Sequence, residues 1–141
     1  MTTTQIQRFA WTEDLKTGVP TIDVQHKELV ASINDLATAI EEGRGASAIK
    51  QLIVFMKYYA EWHFSHEESI AQKHQCPLAE ANCHAHAQFI KLFEDLQQRY
   101  RDSQADESIA LEMHEKLSDW LINHIMKIDK QIGHHVCTKQ C

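Results

Sequence analysis

The chain has 141 residues, 43 % of them apolar, which is room for one domain around one buried core. Lys and Arg total 14 against 20 Asp and Glu, a net charge of −6, so the basic footprint of a nucleic-acid binder is not expected. No run approaches the roughly 18 apolar residues of a membrane span, and residues 1–10 are polar with no apolar signal core, so a cytoplasmic protein without membrane contact is expected.

Glycine (4) and proline (2) are scarce, which favours a few long helices over many short strands. Residues 1–22 read as an N-terminal arm carrying Trp11, Leu15 and Gly18-Val19-Pro20. Pro20 blocks helix continuation, and Thr21 or Asp23 is placed to cap a helix beginning just after it. This first helix is predicted over 24–42, with Leu29, Val30, Ile33, Leu36, Ala37 and Ile40 as one apolar stripe. Gly43-Arg44-Gly45 stops it. Ser47 is the expected cap of a second helix, 48–73, whose stripe changes midway from Leu52, Ile53 and Met56 to His63 and Glu67. Cys76-Pro77 interrupts, and a third helix is predicted over 78–101. A polar turn with Asp106 as cap leads to a fourth helix, 107–130, and residues 131–141 read as a tail. Four amphipathic helices with short connections predict an all-α, antiparallel up-down-up-down bundle with an N-terminal arm, as a single domain over 1–141.

That topology brings the start of the first helix, the end of the second, the start of the third and the end of the fourth to one end. His26, His63 and Glu67, Asn82 and His86, and His124 and Asp129 occupy those four places. The pairs 63/67 and 82/86 are each four apart, hence on one helix face. Imidazoles and carboxylates without cysteine suit a first-row metal such as iron or manganese. One histidine on an apolar stripe is ordinarily a hydrogen-bonded core residue. Four inward histidines and two inward carboxylates at one level would each carry about 1–3 kcal/mol of burial cost if unpaired, and a metal removes that cost for all. Asp129 is awkward, because it lies five residues after His124, about 140° around a regular helix, and would need the helix to widen there.

Trp11-Thr12, Gly18, Ile22-Asp23-x-Gln25-His26-Lys27, His63-Phe64-x-x-Glu67-Glu68 and Trp120-Leu121-x-x-His124-Ile125-x-x-x-Asp129, taken in order, resemble the hemerythrin family in its bacterial single-domain form. The resemblance covers nearly the whole chain. It implies an oxo- or hydroxo-bridged pair of iron ions that binds O2 reversibly. It also implies that Glu67 and Asp129 bridge the ions, that His26 and His63 hold the O2-binding iron, and that His86 and His124 hold the other. Phe64, Trp120, Leu121 and Ile125 would line a dry O2 pocket.

The chain departs from the family in the third helix. Pro77 and Phe89 set the register, so His86 is the second of two expected histidines, and asparagine, Asn82, stands at the first. His84 and Cys83 lie about 200° and 100° around the helix from that position and do not replace it. Asn82 is expected to be a weak or lost ligand, leaving the second iron more weakly bound. The resulting expectation is O2 binding for transport, storage, delivery or sensing, by a monomer rather than an enzyme, with O2 and a redox or O2-consuming protein as partners. The alternatives are a redox or nitric-oxide-handling di-iron enzyme, or a mono-iron or mixed-metal protein. His66, His74, His84 and His114 are expected at the surface or around the ligands, and Cys76 and Cys83 as reduced thiols beside the turn. His134, His135, Cys137 and Cys141 suggest a second soft-metal or redox site, with a frayed terminus as the plainer reading.

Overall fold

The computed structural model describes residues 6–103 and 106–139, with side chains to Val136. The paired reading of Cys137 and Cys141 falls outside what is described. A short 3-10 turn, Glu13–Leu15, precedes α1, Pro20–Glu41. Pro20 opens α1 because its missing N–H is one that the first turn leaves unbonded anyway. Neither expected residue caps the helix. Asp23 instead accepts from the Thr17 amide (2.8 Å), the Thr17 hydroxyl (2.8 Å) and the Gly18 amide (3.2 Å), tying the loop to the first turn. Gly43 turns the chain at φ +75°, a conformation that glycine adopts without steric cost.

α2, Gly45–Lys73, begins two residues before the expected Ser47 cap. Its early amide at Ala46 is bonded from afar, by Glu107 Oε1 at 2.9 Å. A Cβ at Gly45 would lie 2.6 Å from Glu107 Oε2 and 2.8 Å from Ile40 Cγ1, so a larger residue there would displace both side chains. α3 spans Ala79–Asp102 and α4 spans Glu107–His124. Asp106 caps α4 as expected, accepting from the Ser108 amide at 2.9 Å. A π-helical turn, Ile125–Asp129, continues directly into α5, Lys130–Lys139. The rod therefore does not end near residue 130. Ile132 and Val136, one turn apart, bury against Ala71 and Cys76 and hold α5 down. Gly133 makes room for this, since a Cβ there would sit 2.1 Å from the Thr17 carbonyl oxygen.

α1 packs on α2 and α4, and α3 packs on the same two, which makes the four-helix bundle; no strand occurs among the described residues. Leu29, Ile33 and Leu36, Leu52 and Met56, Phe93 and Leu96, and Met113 and Leu117 fill its centre. No helix of the described residues is long and apolar enough to cross a membrane. His114, expected at the surface or around the ligands, is not at the surface. It is buried on α4, and burial lowers its pKa.

Candidate metal centre

Nearly all buried charge gathers at one end of this core. His26, His63, Glu67, Asn82, His86, His124 and Asp129 are all buried. Each takes an inward position of its helix because that position continues the apolar stripe. His63 and Glu67 follow Met56 and Ala60 on α2, and His86 precedes Phe89 and Phe93 on α3. The exception is Asp129, which the regular period would turn away from His124. The π turn of Ile125–Asp129 supplies the widening it needs, because an i→i+5 turn sets residues five apart on one face.

The side chains form two groups that share both carboxylates. His26 Nε2 lies 3.3 Å from Glu67 Oε2 and 3.1 Å from Asp129 Oδ2, and His63 Nε2 is 3.3 Å from Glu67 Oε2. On the other side, Glu67 Oε1 is 3.1 Å from His86 Nε2 and 3.8 Å from His124 Nε2, and Asp129 Oδ1 is 3.0 Å from His124 Nε2. Each carboxylate thus gives one oxygen to each group. Within either group the candidate donor atoms all lie within 4.8 Å of one another.

The electrostatics of this cluster call for cations. Glu67 sits far below the usual carboxylate range: burial opposes its charge, but the imidazoles gathered around it, His124, His26, His63 and His86, outweigh that. Burial likewise opposes charge on His26 and His124, yet Asp129 and Glu67 raise both to about 9. Burial lowers His63, and its Nδ1 meets Gln25 Oε1 at 2.6 Å. A neutral His63 that donates there turns its Nε2 lone pair toward Glu67 Oε2, acceptor against acceptor. His86 and His124 face each other Nε2 to Nε2 at 3.2 Å, a contact that needs a proton or a metal ion between the rings. His26 Nε2, Glu67 Oε2 and both Asp129 oxygens make no aligned hydrogen bond. Buried carboxylates and imidazoles converging in this way need cations between them, either the protons of His26 and His124 or metal ions in their place. Imidazole nitrogen and carboxylate oxygen are donors suited to iron or manganese, so the residues fit a pair of such ions.

Around the donors, Phe64 stacks on His86 (ring centroids 3.9 Å apart, 10° between planes) and Trp120 on His124 (4.4 Å, 13°). Leu121 and Ile125 are buried in the same region of α4 and its π turn. The aromatic rings therefore cover the second group, while Phe64 is also 5.8 Å from the His63 ring. Asn82, one turn before His86, is fully buried, and neither its amide oxygen nor its nitrogen has a hydrogen-bond partner.

Two residues behind the cluster were not singled out from sequence. Gln25 holds His63, and Glu68 holds His86, with Glu68 Oε2 3.1 Å from His86 Nδ1. Their signal was adjacency: each is a polar neighbour of a candidate ligand on a buried helix edge. Glu68 also accepts from the Cys83 thiol at 3.0 Å, and this bond above all pushes the thiol up to about 11, so Cys83 stays protonated. His66 and His84 are peripheral, as expected, meeting Thr21 and Glu80. His135 reaches the His74 carbonyl, between α5 and the end of α2.

Comparison with known proteins agrees with this geometry. Residues 17–135 match the family model of the hemerythrin HHE cation binding domain. The chain is 34 % identical over 121 residues to a bacteriohemerythrin of Pseudomonas aeruginosa strain LESB58, covering 86 % of this chain and 76 % of that one. It is 31 % identical over 128 residues to one of Stenotrophomonas maltophilia, covering 91 % and 81 %. It is 30 % identical over 126 residues to one of Methylococcus capsulatus, covering 89 % and 94 %.

Proposed function

The chain belongs to the hemerythrin family, and from that premise we propose that it binds O2 reversibly at a non-haem di-iron centre, for storage, delivery or sensing. The observation that carries this reading is the split of Glu67 and Asp129, one oxygen of each toward either imidazole pair. In this reading Glu67 and Asp129 would be shared by the two ions, His26 and His63 would hold the O2-binding one, and His86 and His124 would hold the other. Two bound irons would supply the reversible redox chemistry that O2 uptake requires.

The protein's own part is to orient and to exclude water. Gln25 fixes the His63 tautomer so that Nε2 faces inward. Phe64, whose ring is 5.8 Å from that of His63, and buried Leu121 and Ile125, with Trp120 partly buried against them, would keep the region apolar and slow proton delivery to a bound diatomic. Among the described residues none near the cluster stands out as a dedicated general acid or base, which favours a binder over an enzyme.

One observation favours a second reading. Each group offers two imidazoles and the same two carboxylates, and buried Asn82, read as standing at the family's histidine position, adds no imidazole. An ion held by so few strong donors is bound less tightly, or keeps a position open for a second small ligand. A redox or nitric-oxide-handling di-iron enzyme, or a mono-iron or mixed-metal protein, would result.

His63→Ala tests the main reading. The O2-dependent visible absorption should vanish and metal content should fall, while far-ultraviolet circular dichroism still reports a helical bundle. An unchanged oxygenated spectrum would refute the assignment of His63.

A further inference from the structure

The two imidazoles that lean on outer partners are held by different chemistry. His63 Nδ1 meets a neutral amide, Gln25 Oε1, at 2.6 Å. His86 Nδ1 meets a carboxylate oxygen, Glu68 Oε2, at 3.1 Å. The other Glu68 oxygen accepts the Cys83 S–H at 3.0 Å. Cys83 stands on α3 beside Asn82, and Glu68 on α2 beside Glu67. The carboxylate is therefore clamped between a thiol and an imidazole of the same helix, one on each oxygen. Its side chain is 30 % exposed, so without the thiol it would have room to turn to solvent.

We propose that Glu68 and Cys83 are positioning residues for the second metal, with the thiol orienting the carboxylate and the carboxylate holding His86 as its Nδ1–H tautomer. This rests on the reading of His86 and His124 as metal donors. A carboxylate behind an imidazole fixes the ring, turns the Nε2 lone pair inward and makes that nitrogen a stronger donor. The carboxylate-backed histidine lies in the group where asparagine replaces an imidazole. The neutral amide serves the group that has both its histidines. Glu68 thereby offsets part of the donor strength that Asn82 withholds.

The test uses Glu68→Ala, Cys83→Ala and Cys83→Ser in the full chain. Nitrogen-15 NMR of the metal-free protein reads the tautomer of neutral His86, with His63 as internal reference. Competition titration with Co(II) reads the affinity of the two sites. Glu68→Ala should abolish the Nδ1–H preference of His86 and weaken one site about 10–100-fold, leaving His63 and the other site unchanged. Cys83→Ala should move both readouts the same way by less, and Cys83→Ser, which keeps a donor, should restore them. An unchanged His86 tautomer in Glu68→Ala, or equal weakening of both sites, overturns the proposal. If Glu68→Ala does not fold, the Cys83 pair decides: serine failing to restore what alanine loses counts against the relay. If the unaltered protein takes no metal, the di-iron reading fails. The metal-free tautomer then still judges the relay, lost in Glu68→Ala if it exists and unchanged if it does not.

Discussion

Asn82 is buried with both amide atoms unpartnered, an arrangement that natural cores rarely leave without a ligand or an ordered water. An amide oxygen is a poorer donor to iron than imidazole. Asn82→His places a ring one turn before His86 on the same face. We expect it to raise iron content toward two per chain and to slow release to a chelator. If the unaltered protein already holds two irons and releases them no faster than the variant, asparagine does not impoverish the site. A second expectation concerns protons. His26 and His124 titrate near 9 in the metal-free fold against an ordinary 6.5. A raised folded value means that their stabilisation is fully present below about 6.5 and is lost as pH rises through about 9. The urea midpoint of metal-free protein should therefore fall across that window. Metal binding at neutral pH should release protons from both rings, measurable by calorimetry in buffers of different ionisation enthalpy. A flat midpoint and no buffer dependence would show that these histidines are neutral in the fold.

Among the elements, the π turn Ile125–Asp129 decides whether the site closes. A π turn is one extra residue held in an otherwise α-helical rod. Removing exposed Lys127 should collapse it to a regular helix with Asp129 four residues after His124, still on the same face, and with Ile132 and Val136 in register. Inserting alanine after Lys127 should rotate Asp129 and everything beyond it by about 100°. We expect the deletion to retain metal and the insertion to lose both ions while α1, α2 and α3 stay helical. Equal metal loss in the two variants would mean that the turn itself, and not the register it sets, is what the site needs. The spacing of His124 and Asp129 showed the conflict plainly but not its resolution. Whether a helix widens or a side chain strays depends on what packs beyond, here Ile132 and Val136 against Ala71 and Cys76.

At the scale of the whole molecule, α5 and the loop before α1 brace each other at the metal end, with Gly133 against Thr17. Gly133→Ala puts a methyl into the Thr17 backbone, where no side chain can give way. It should cost about 1–3 kcal/mol of stability, read as a lowered urea midpoint with an unchanged slope. A midpoint equal to the parent's would show that the loop moves freely. Much of this protein was determined by sequence alone. Periodic apolar stripes, sparse glycine and proline, and inward histidines at one level specify four helices and the residues that meet at their common end, because both derive from the 3.6-residue period and the order of the helices. The distant capping of α2 by Glu107, the burial of His114 and the continuation of the last helix to Lys139 were decided only in three dimensions. So were the π turn, the division of each carboxylate between two imidazole pairs, and the contrast of Gln25 with Glu68. Each depends on which side chain of another helix comes within a few ångströms, and local periodicity carries no such information.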